Sequence, residues 1–437
     1  MTLLTQLMTS VADAGLELLR PSERKARRSS VAALQDLCRD LMSSRGEALG
    51  TALARDAVAG YRHLDTEGKT AFLKLLAEKF APDAKHIADS VKDYVTRRDA
   101  ESYRALTQAV EAPRQELFRR LNLAPNGTAA LVELRQDILE RIKQHPELKE
   151  VDVDLGHLLS SWFNRGFLYF RRIDWHTPAD ILEKLIRYEA VHQMNGWDDL
   201  RRRLAADRRC FAFFHPALPD EPLIFIEVAL VKGTAGAIGP ILDKDGLEAP
   251  LEEADTAVFY SISNCQPGLR GISFGNFLIK QVVLELTGEL PSLKTFVTLS
   301  PVPGFRRWLS EVLAAPEGVL SEADCKALAP LLRDGAGSGV KALQKREEAL
   351  LRACARYLLE SGKGPRRGDP VARFHLGNGA VLHRINWMGD GSEKGLAQSF
   401  GLLVNYLYDL SAIERNHEDF VNKGKVAASS SVTRLAR

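Results

Sequence analysis

Apolar residues recur every three or four positions over most of the chain before Arg171. This spacing is typical of amphipathic helices that pack against one another. Turn sequences such as APD (Ala81–Asp83) and LAPNGT (Leu123–Thr128) separate the periodic segments. We therefore predict an all-α, helical-bundle domain over residues 1–165, serving in scaffolding or oligomer contacts. The predicted helices are Ser29–Ala54, Thr70–Phe80, Asp83–Val95, Ala100–Val110, Gln115–Leu121, Thr128–Ile142 and Asp154–Phe167.

After Arg171 the helical period gives way to short runs rich in Phe, Val, Ile and Thr, which are typical of buried strands. Strands alternating with helices predict a second domain, residues 166–437, of α/β or α+β class. The chain is thus predicted to be an α+β multidomain protein. The predicted strands are Cys210–His215, Pro222–Val231, Thr256–Ser263 and Lys294–Ser300; the predicted helices include Phe277–Leu286, Glu322–Leu359 and Gly395–Leu410.

Composition narrows the class of protein. The 59 basic and 57 acidic residues nearly cancel, leaving a net charge of +2, whereas a nucleic-acid-binding protein would show a clear basic excess. The 5 cysteines form no CxxC pair, which argues against a disulfide framework or a zinc site and fits a reducing compartment. No apolar run reaches the roughly 20 residues that span a membrane, and the first residues do not form a secretory signal. We therefore expect a cytoplasmic protein without nucleic-acid or membrane partners.

The stretch GLRGISFGNFLIK (Gly268–Lys280) carries three glycines between a predicted strand and a predicted helix. Its glycine spacing is not that of a Rossmann fingerprint, and it lacks the Gly-Lys-Ser/Thr ending of a Walker loop. Two interpretations stay open: an ordinary tight turn, or a cradle whose backbone N–H groups and helix N-terminus hold an anion. Arg270 could then add a charge-assisted hydrogen bond.

This stretch resembles the pyrophosphate loop of the GNAT acetyltransferase fold, Gln/Arg-x-x-Gly-x-Gly/Ala, which holds coenzyme A. One glycine position is occupied here by Ser273. Four longer motifs are similar to the malonyl-CoA decarboxylase family, and the resemblance extends through nearly all of the second half. They are SSWFNRGFLYFRRIDWHTPADIL (Ser160–Leu182), AVFYSISNCQPGLRG (Ala257–Gly271), TLSPVPGFRRWL (Thr298–Leu309) and ARFHLGNGAVLHRINW (Ala372–Trp387).

The resemblance implies a helical domain followed by a GNAT-like α/β catalytic domain with a mixed central sheet. It implies conversion of malonyl-CoA to acetyl-CoA and CO2 in malonate and fatty-acid metabolism, without metal or organic cofactor. It also implies a homo-oligomer, a dimer or a tetramer. The residues implied to bind substrate and coenzyme A are Arg270, Gly271, Ile272, Ser273, Phe274, Gly275 and Asn276, with Ser300 and His375.

Three residues are candidates for catalysis. From local sequence alone, Ser300 at a strand end reads as a turn serine and His375 before an Asn-Gly turn as a structural histidine. The family carries a serine–histidine pair in these two motifs, so the resemblance implies that Ser300 is a proton acceptor or polariser and His375 a proton donor. Ser261 is the third candidate, near the thioester. Ser273 stands where mammalian relatives carry an acidic residue, which leaves the role of Ser261 open as well.

Two other functions remain compatible with the sequence. A coenzyme A-dependent N-acyltransferase would use the same loop and fold to transfer an acyl group to an amine. A non-catalytic acyl-CoA-binding regulator would rely on the helical half for its interactions. The SPVPGF and FHLGNGAVLHRINW motifs favour the decarboxylase over the acyltransferase, and the intact Ser300 and His375 count against the regulator.

Overall fold

A computed structural model describes residues 30–246, 248–272, 278–314, 318–333, 340–362 and 368–437. The chain forms two compact units. The helical unit comprises Met1–Leu168 with the short segments His215–Asp220 and Gln266–Ser273, and the sheet unit comprises the rest. No helix in the described ranges is long and apolar enough to cross a membrane.

The helical unit is built from eight described helices. Its centre contains fully buried side chains such as Leu76, Phe118, Ile138 and Leu155. Local capping fixes several helix starts; at Asp99 the side chain accepts the N–H of Ser102 in a capping box. The helices are α1 (Val31–Met42), α2 (Ser44–Arg62), α3 (Thr66–Lys79), α4 (Ala84–Arg97), α5 (Ala100–Val110), α6 (Pro113–Leu121), α7 (Gly127–Arg141) and α8 (Leu148–Trp162).

The sheet unit is organised around one mixed sheet. Its strand order is β1-β2-β3-β4-β5-β8-β6, with β7 pairing to β8. All neighbouring strands are antiparallel except β4 and β5, which are parallel and therefore need a crossover that contains a helix. The strands are β1 (Tyr169–Ile173), β2 (Arg208–Phe214), β3 (Ile224–Val231), β4 (Thr256–Asn264), β5 (Thr295–Thr298), β6 (Ser300–Pro301), β7 (Val381–Asn386) and β8 (Leu403–Leu407).

Helices surround this sheet. The side chains of Ile181, Leu185 and Leu200 pack with Ala212 and Phe214 of β2 in one buried core, which covers one face of that strand. The described helices of the unit are α9 (Ala179–Tyr188), α10 (Trp197–Arg203), α11 (Gly239–Leu242), α12 (Leu278–Glu289), α13 (Phe305–Ala314), α14 (Glu322–Arg333), α15 (Val340–Gln344), α16 (Glu347–Leu359), α17 (Pro370–Gly377), α18 (Glu393–Ser399), α19 (Ile413–Lys423) and α20 (Ser430–Leu435).

The parallel pair separates part-way along its length. The ladder between β4 and β5 ends at Phe259 opposite Thr298, although β4 continues to Asn264. Beyond Leu299 the chain no longer pairs with β4 but still pairs with β8, through Ser300 opposite Val404. Ser261 and Ser300 each lie two residues past the last β4–β5 pair. The opening between β4 and β5 therefore begins between these two serines.

The predicted fold class, an all-α domain followed by an α/β domain with a mixed sheet, is confirmed. Several element boundaries are wrong. The predicted helix Gly395–Leu410 is helix α18 followed by strand β8, because Phe400 and Gly401 adopt positive φ (55° and 80°) and end the helix. Ser29–Ala54 is broken at Ser43, whose backbone is extended, and the predicted strand Lys294–Ser300 is divided into β5 and β6. In the described part of Glu322–Leu359 there are three helices instead of one.

Candidate active site

The structure brings Ser300 and His375 together, although 75 positions separate them in the chain. Ser300 opens β6, and His375 lies in the last turn of α17. The Ser300 Oγ and His375 Nε2 atoms are 3.1 Å apart, which is hydrogen-bonding distance. Both side chains are buried, with 5% and 3% of their surface exposed. The pair predicted from the two motifs is therefore a contact in the fold.

The other ring nitrogen of His375 also has a hydroxyl partner. Its Nδ1 lies 2.8 Å from the Tyr408 Oη, and this is the one partner of that hydroxyl among the described residues. Because the Ser300 hydroxyl donates to Thr298 Oγ1, Ser300 accepts from an Nε2–H group, and Nδ1 then accepts from the Tyr408 hydroxyl. The ring of Tyr406 stacks on the imidazole at 4.6 Å between centroids. His375 is thus fixed in orientation by one hydroxyl and one aromatic face.

Burial determines the charge of His375 in the free site. Removal from water lowers the pKa of its imidazole to about 3, because the protonated ring would lose its hydration. The imidazole is therefore neutral near pH 7 and presents an Nε2–H donor.

Thr298 connects Ser300 to the sheet. The Ser300 hydroxyl donates to Thr298 Oγ1 at 2.9 Å, and the same oxygen accepts the backbone N–H of Tyr406 at 3.2 Å. The Asn405 amide donates to the Thr298 carbonyl at 2.7 Å. Strand β8 thus positions both sides of the Ser300–His375 contact.

A cavity of about 250 Å³ lies against this contact. Its volume suits an acyl thioester rather than a whole coenzyme A molecule, since sites for drug-sized ligands are usually about 300–1,000 Å³. All three predicted catalytic residues line it. Its lining is Val191, Ile224, Phe259, Tyr260, Ser261, Ile262, Asn264, Ser300, Pro301, Pro370, Val371, Phe374 and His375.

Ser261 does not touch Ser300 or His375 by any hydrogen bond in the described structure. Its hydroxyl donates instead to the carboxylate of Glu189, with oxygen–oxygen distances of 2.7 and 2.9 Å. Glu189 caps the end of α9 and is itself buried. Sequence reasoning predicts Ser261 as a site residue but does not indicate this partner.

The predicted coenzyme A loop is described only as far as Ile272. The side chain of Arg270 is exposed, Gly271 has a positive φ of 83°, and Ile272 is buried. The N–H groups of Arg270 and Ile272 donate to carbonyls within the turn, whereas the Gly271 N–H has no backbone acceptor among the described residues. The remaining predicted residues, Ser273, Phe274, Gly275 and Asn276, lie outside the described residues.

An arginine of the helical unit holds this turn. Arg135 on α7 donates through Nη1 to the carbonyl oxygens of Gly268 and Arg270, at 2.7 and 2.9 Å. Gly268 lies so close to the Val132 carbonyl that any side chain there would clash, with a Cβ atom only 2.0 Å from that oxygen. The turn before the predicted phosphate loop is thereby attached to α7.

Metal-ligating groups do not cluster in the structure: across the described ranges, no group of three or more His, Cys, Asp or Glu side chains could hold a metal ion. Burial raises the pKa of the Cys265 thiol well above its usual range, so this cysteine is not an activated thiolate.

Comparison with known proteins places the chain among relatives. Residues 166–437 match the family described as Malonyl-CoA decarboxylase C-terminal domain, and residues 80–163 match Malonyl-CoA decarboxylase N-terminal domain. This chain belongs to the malonyl-CoA decarboxylase family. The curated mitochondrial malonyl-CoA decarboxylase of Anser anser anser is 37% identical over 406 residues, which are 85% of this chain and 81% of the goose protein.

Two solved structures of the family have a higher sequence identity to this chain. The malonyl-CoA decarboxylase from Rhodopseudomonas palustris is 52% identical with a TM-score of 0.88, covering 93% of this chain and 99% of that one. The Agrobacterium vitis protein is 50% identical with a TM-score of 0.84, covering 92% of this chain and 99% of that one. Both comparisons cover more than nine-tenths of this chain, so the similarity is not confined to the sheet unit.

Sequence reasoning missed three residues of this site. Tyr408 lies in a segment predicted as helix, where its neighbourhood could not be anticipated. Glu189 is in the sequence YEAVH at a helix end, where a carboxylate reads as an ordinary surface group. Thr298 lies two residues before Ser300 on the same predicted strand, and this spacing is the one sequence signal that both face the same side.

Proposed function

We propose that the protein decarboxylates malonyl-CoA to acetyl-CoA and CO2 in the cavity beside Ser300 and His375. The observation that supports this function best is the hydrogen-bonded series Ser300–His375–Tyr408 against a small cavity, in a member of this family. The series supplies an oriented N–H donor.

The reaction breaks the bond between the malonyl α-carbon and its carboxylate. The electron pair moves into the thioester, giving an enolate whose charge lies largely on the carbonyl oxygen, and CO2 leaves. The α-carbon then takes up one proton and becomes the methyl group of acetyl-CoA. A preorganised donor at the enolate oxygen accelerates such a step by about 10²–10³-fold.

His375 is the proton donor in this scheme. In the free site its imidazole is neutral, but the negative charge of bound substrate, and then of the enolate, favours the protonated ring when it lies within a few ångströms. The proton passes from Nε2 to the α-carbon and is replaced from solvent. Tyr408 can donate to Nδ1 of the neutral ring or accept from Nδ1–H of the charged ring, so it holds the ring in both states.

Ser300 orients the His375 imidazole and polarises the thioester carbonyl. The Ser300 oxygen accepts a hydrogen bond from His375 Nε2–H, and the Ser300 hydroxyl donates to Thr298 Oγ1. When a thioester fills the cavity, the hydroxyl can turn toward the carbonyl oxygen and release the Nε2–H group to the reacting carbon. The absence of a fixed Lys or Arg from the described cavity lining leaves the departing carboxylate without a strong ground-state clamp.

The rest of the substrate lies outside this cavity. We propose that phosphate oxygens of coenzyme A bind at the Gly268–Lys280 stretch, with Arg270 and the Gly271 N–H as donors among its described residues. Cofactor-independent activity, a homo-oligomeric assembly and a cytoplasmic location stay predictions; the curated goose and rat relatives are named mitochondrial.

One experiment tests this function. Purified protein is incubated with malonyl-CoA without any amine, and CO2 and acetyl-CoA are followed together. We expect equal amounts of the two products and no free coenzyme A. Release of coenzyme A that depends on an added amine would identify an acyltransferase instead, and binding without turnover would indicate a regulator.

A further inference from the structure

Glu189 has no part in the scheme above, yet four donors converge on its carboxylate. Its Oε1 accepts the backbone N–H groups of Val191 and His192, both at 2.7 Å. Ser261 donates to both oxygens, and Ser263 donates to Oε2 at 3.2 Å. Two N–H groups and two hydroxyls directed at one buried carboxyl suit an ionised carboxylate, which can only accept.

This arrangement determines what Ser261 can offer a ligand. A serine hydroxyl has one proton and two lone pairs, and here the proton is committed to Glu189. Ser261 lines the cavity at the level of Ser300, on the other side of the opening between β4 and β5. It therefore presents lone pairs to the ligand. It cannot donate to a thioester oxyanion, and it can accept a hydrogen bond.

We propose that Glu189 is a positioning residue that makes Ser261 a hydrogen-bond acceptor for an amide N–H of the substrate, namely the pantetheine amide nearest the thioester sulfur. The inference rests on the proposed function. In an acyl-CoA, that amide is the N–H group closest to the reacting carbonyl, two methylene groups from the sulfur. Glu189 and Ser261 would thus select pantetheine thioesters, while the enolate is stabilised by Ser300 and His375.

The negative charge of Glu189 strengthens this acceptor, because a charge-assisted bond pulls the Ser261 proton away and enriches its oxygen in electron density. In Glu189→Gln, the amide oxygen would keep the Val191 and His192 N–H groups. The amide NH2 would then face Ser261 and occupy one of its lone pairs. The substitution preserves size but removes the charge and weakens Ser261 as an acceptor.

The test compares malonyl-CoA with the same molecule in which oxygen replaces the amide nitrogen nearest the sulfur. We expect the wild type to prefer the amide by about 10-fold in kcat/KM, which corresponds to one net hydrogen bond. In Ser261→Ala we expect the preference to fall to between about 1- and 2-fold, and in Glu189→Gln to about 3-fold. Because the amide is remote from the reacting carbon, KM for malonyl-CoA should rise about 5–10-fold in these two variants, while kcat changes less than about 3-fold.

Two further variants separate recognition from folding. Ser263→Ala removes another partner of Glu189, but Ser263 does not line the cavity, so the preference for the amide should persist. Ser261→Cys keeps the shape of the side chain and replaces its oxygen with a weak acceptor, and it should lose the preference even if Glu189→Gln fails to fold. Thermal unfolding of each variant confirms that the kinetics are those of folded protein.

The outcomes are distinct. If the wild type releases no CO2 from malonyl-CoA, the proposed function fails. If it turns over malonyl-CoA but treats amide and ester alike, or if Ser261→Ala and Ser261→Cys retain the wild-type preference, the proposed function stands and this inference is overturned.

Discussion

The surroundings of His375 contain hydroxyls and aromatic rings but no charged partner among its described contacts. Ser300 and Tyr408 bond its two nitrogens, and Tyr406 covers one face. An imidazole in such a place gains a proton only when a ligand brings negative charge to it. The chemistry of this residue is thus controlled by occupancy of the cavity.

Replacing His375 should therefore affect turnover and leave binding largely intact. For His375→Ala we expect kcat for malonyl-CoA to fall by about 10²–10⁴-fold, the usual contribution of a positioned general acid, with KM changed less than about 3-fold. Steady-state rates of CO2 release measure both. His86→Ala, at an exposed position on α4, is the control and should match the wild type. A variant at position 375 with near-normal kcat would remove this residue from the mechanism.

The two tyrosines next to His375 offer a matched comparison. Tyr408→Phe deletes the hydroxyl bonded to Nδ1 and leaves that nitrogen unpaired in a buried site, so we expect kcat to fall about 10–100-fold. Tyr406→Phe keeps the stacked ring and deletes a buried hydroxyl that has no partner in the described structure, so its kcat should stay within about 3-fold of wild type. Equal losses in both variants would contradict the assignment of Tyr408.

At the scale of elements, α7 holds the turn that leads into the predicted phosphate loop. Arg135→Ala removes both hydrogen bonds to that turn, and we expect KM for malonyl-CoA to rise about 10-fold with a smaller change in kcat. Arg62→Ala on α2 breaks an exposed ion pair with Glu133 of α7 and should leave KM unchanged. An unchanged KM in Arg135→Ala would show that the turn does not need this anchor.

The elements also show what sequence patterns can and cannot specify. Strands β2, β3 and β4 are predictable because Phe, Val and Ile runs bounded by turn residues are typical of buried strands. Strand β8 is predicted as helix because LLVNYL fits either structure over so short a run. Two features make this segment a strand. The backbone at Phe400 is left-handed although the residue is not glycine, and the segment pairs with β5, β6 and β7, which lie elsewhere in the chain.

In the candidate site, too, some residues are predictable from the sequence and others are not. Ser300 and His375 are identified from motifs of a resembled family, since no spacing rule connects residues 75 positions apart. Their partners Tyr408 and Glu189 depend on strand order and on where a helix ends. Such partners become visible only once the sheet is assembled.

For the molecule as a whole, buried histidines connect stability to pH. Burial lowers the pKa of His375 to about 3 and that of His192 to about 4, below the usual pKa of about 6.5 in the unfolded chain. Between these values the unfolded state binds more protons, so stability is full above about pH 6.5 and falls as the pH drops toward about 3. Each group contributes up to about 1.4 kcal/mol per pH unit in that window.

A His375→Gln variant isolates one of these contributions. Between about pH 7 and pH 5 the wild type should lose about 2 kcal/mol more than the variant, because a glutamine amide does not titrate. Thermal unfolding of both proteins at the two pH values provides the comparison. Parallel losses would mean that His375 is not held in its neutral form.

The position of β8 also has a consequence for how the protein is made. Ser300 and His375 are synthesised before β8 and Tyr408, yet β8 is the strand that brings Ser300, Thr298 and the two tyrosines into register. A nascent chain that has released every residue up to His375 from the ribosome therefore holds both reactive groups without the frame that aligns them. The Ser300–His375 contact is therefore aligned only once β8, the last described strand along the chain, has joined β5, β6 and β7.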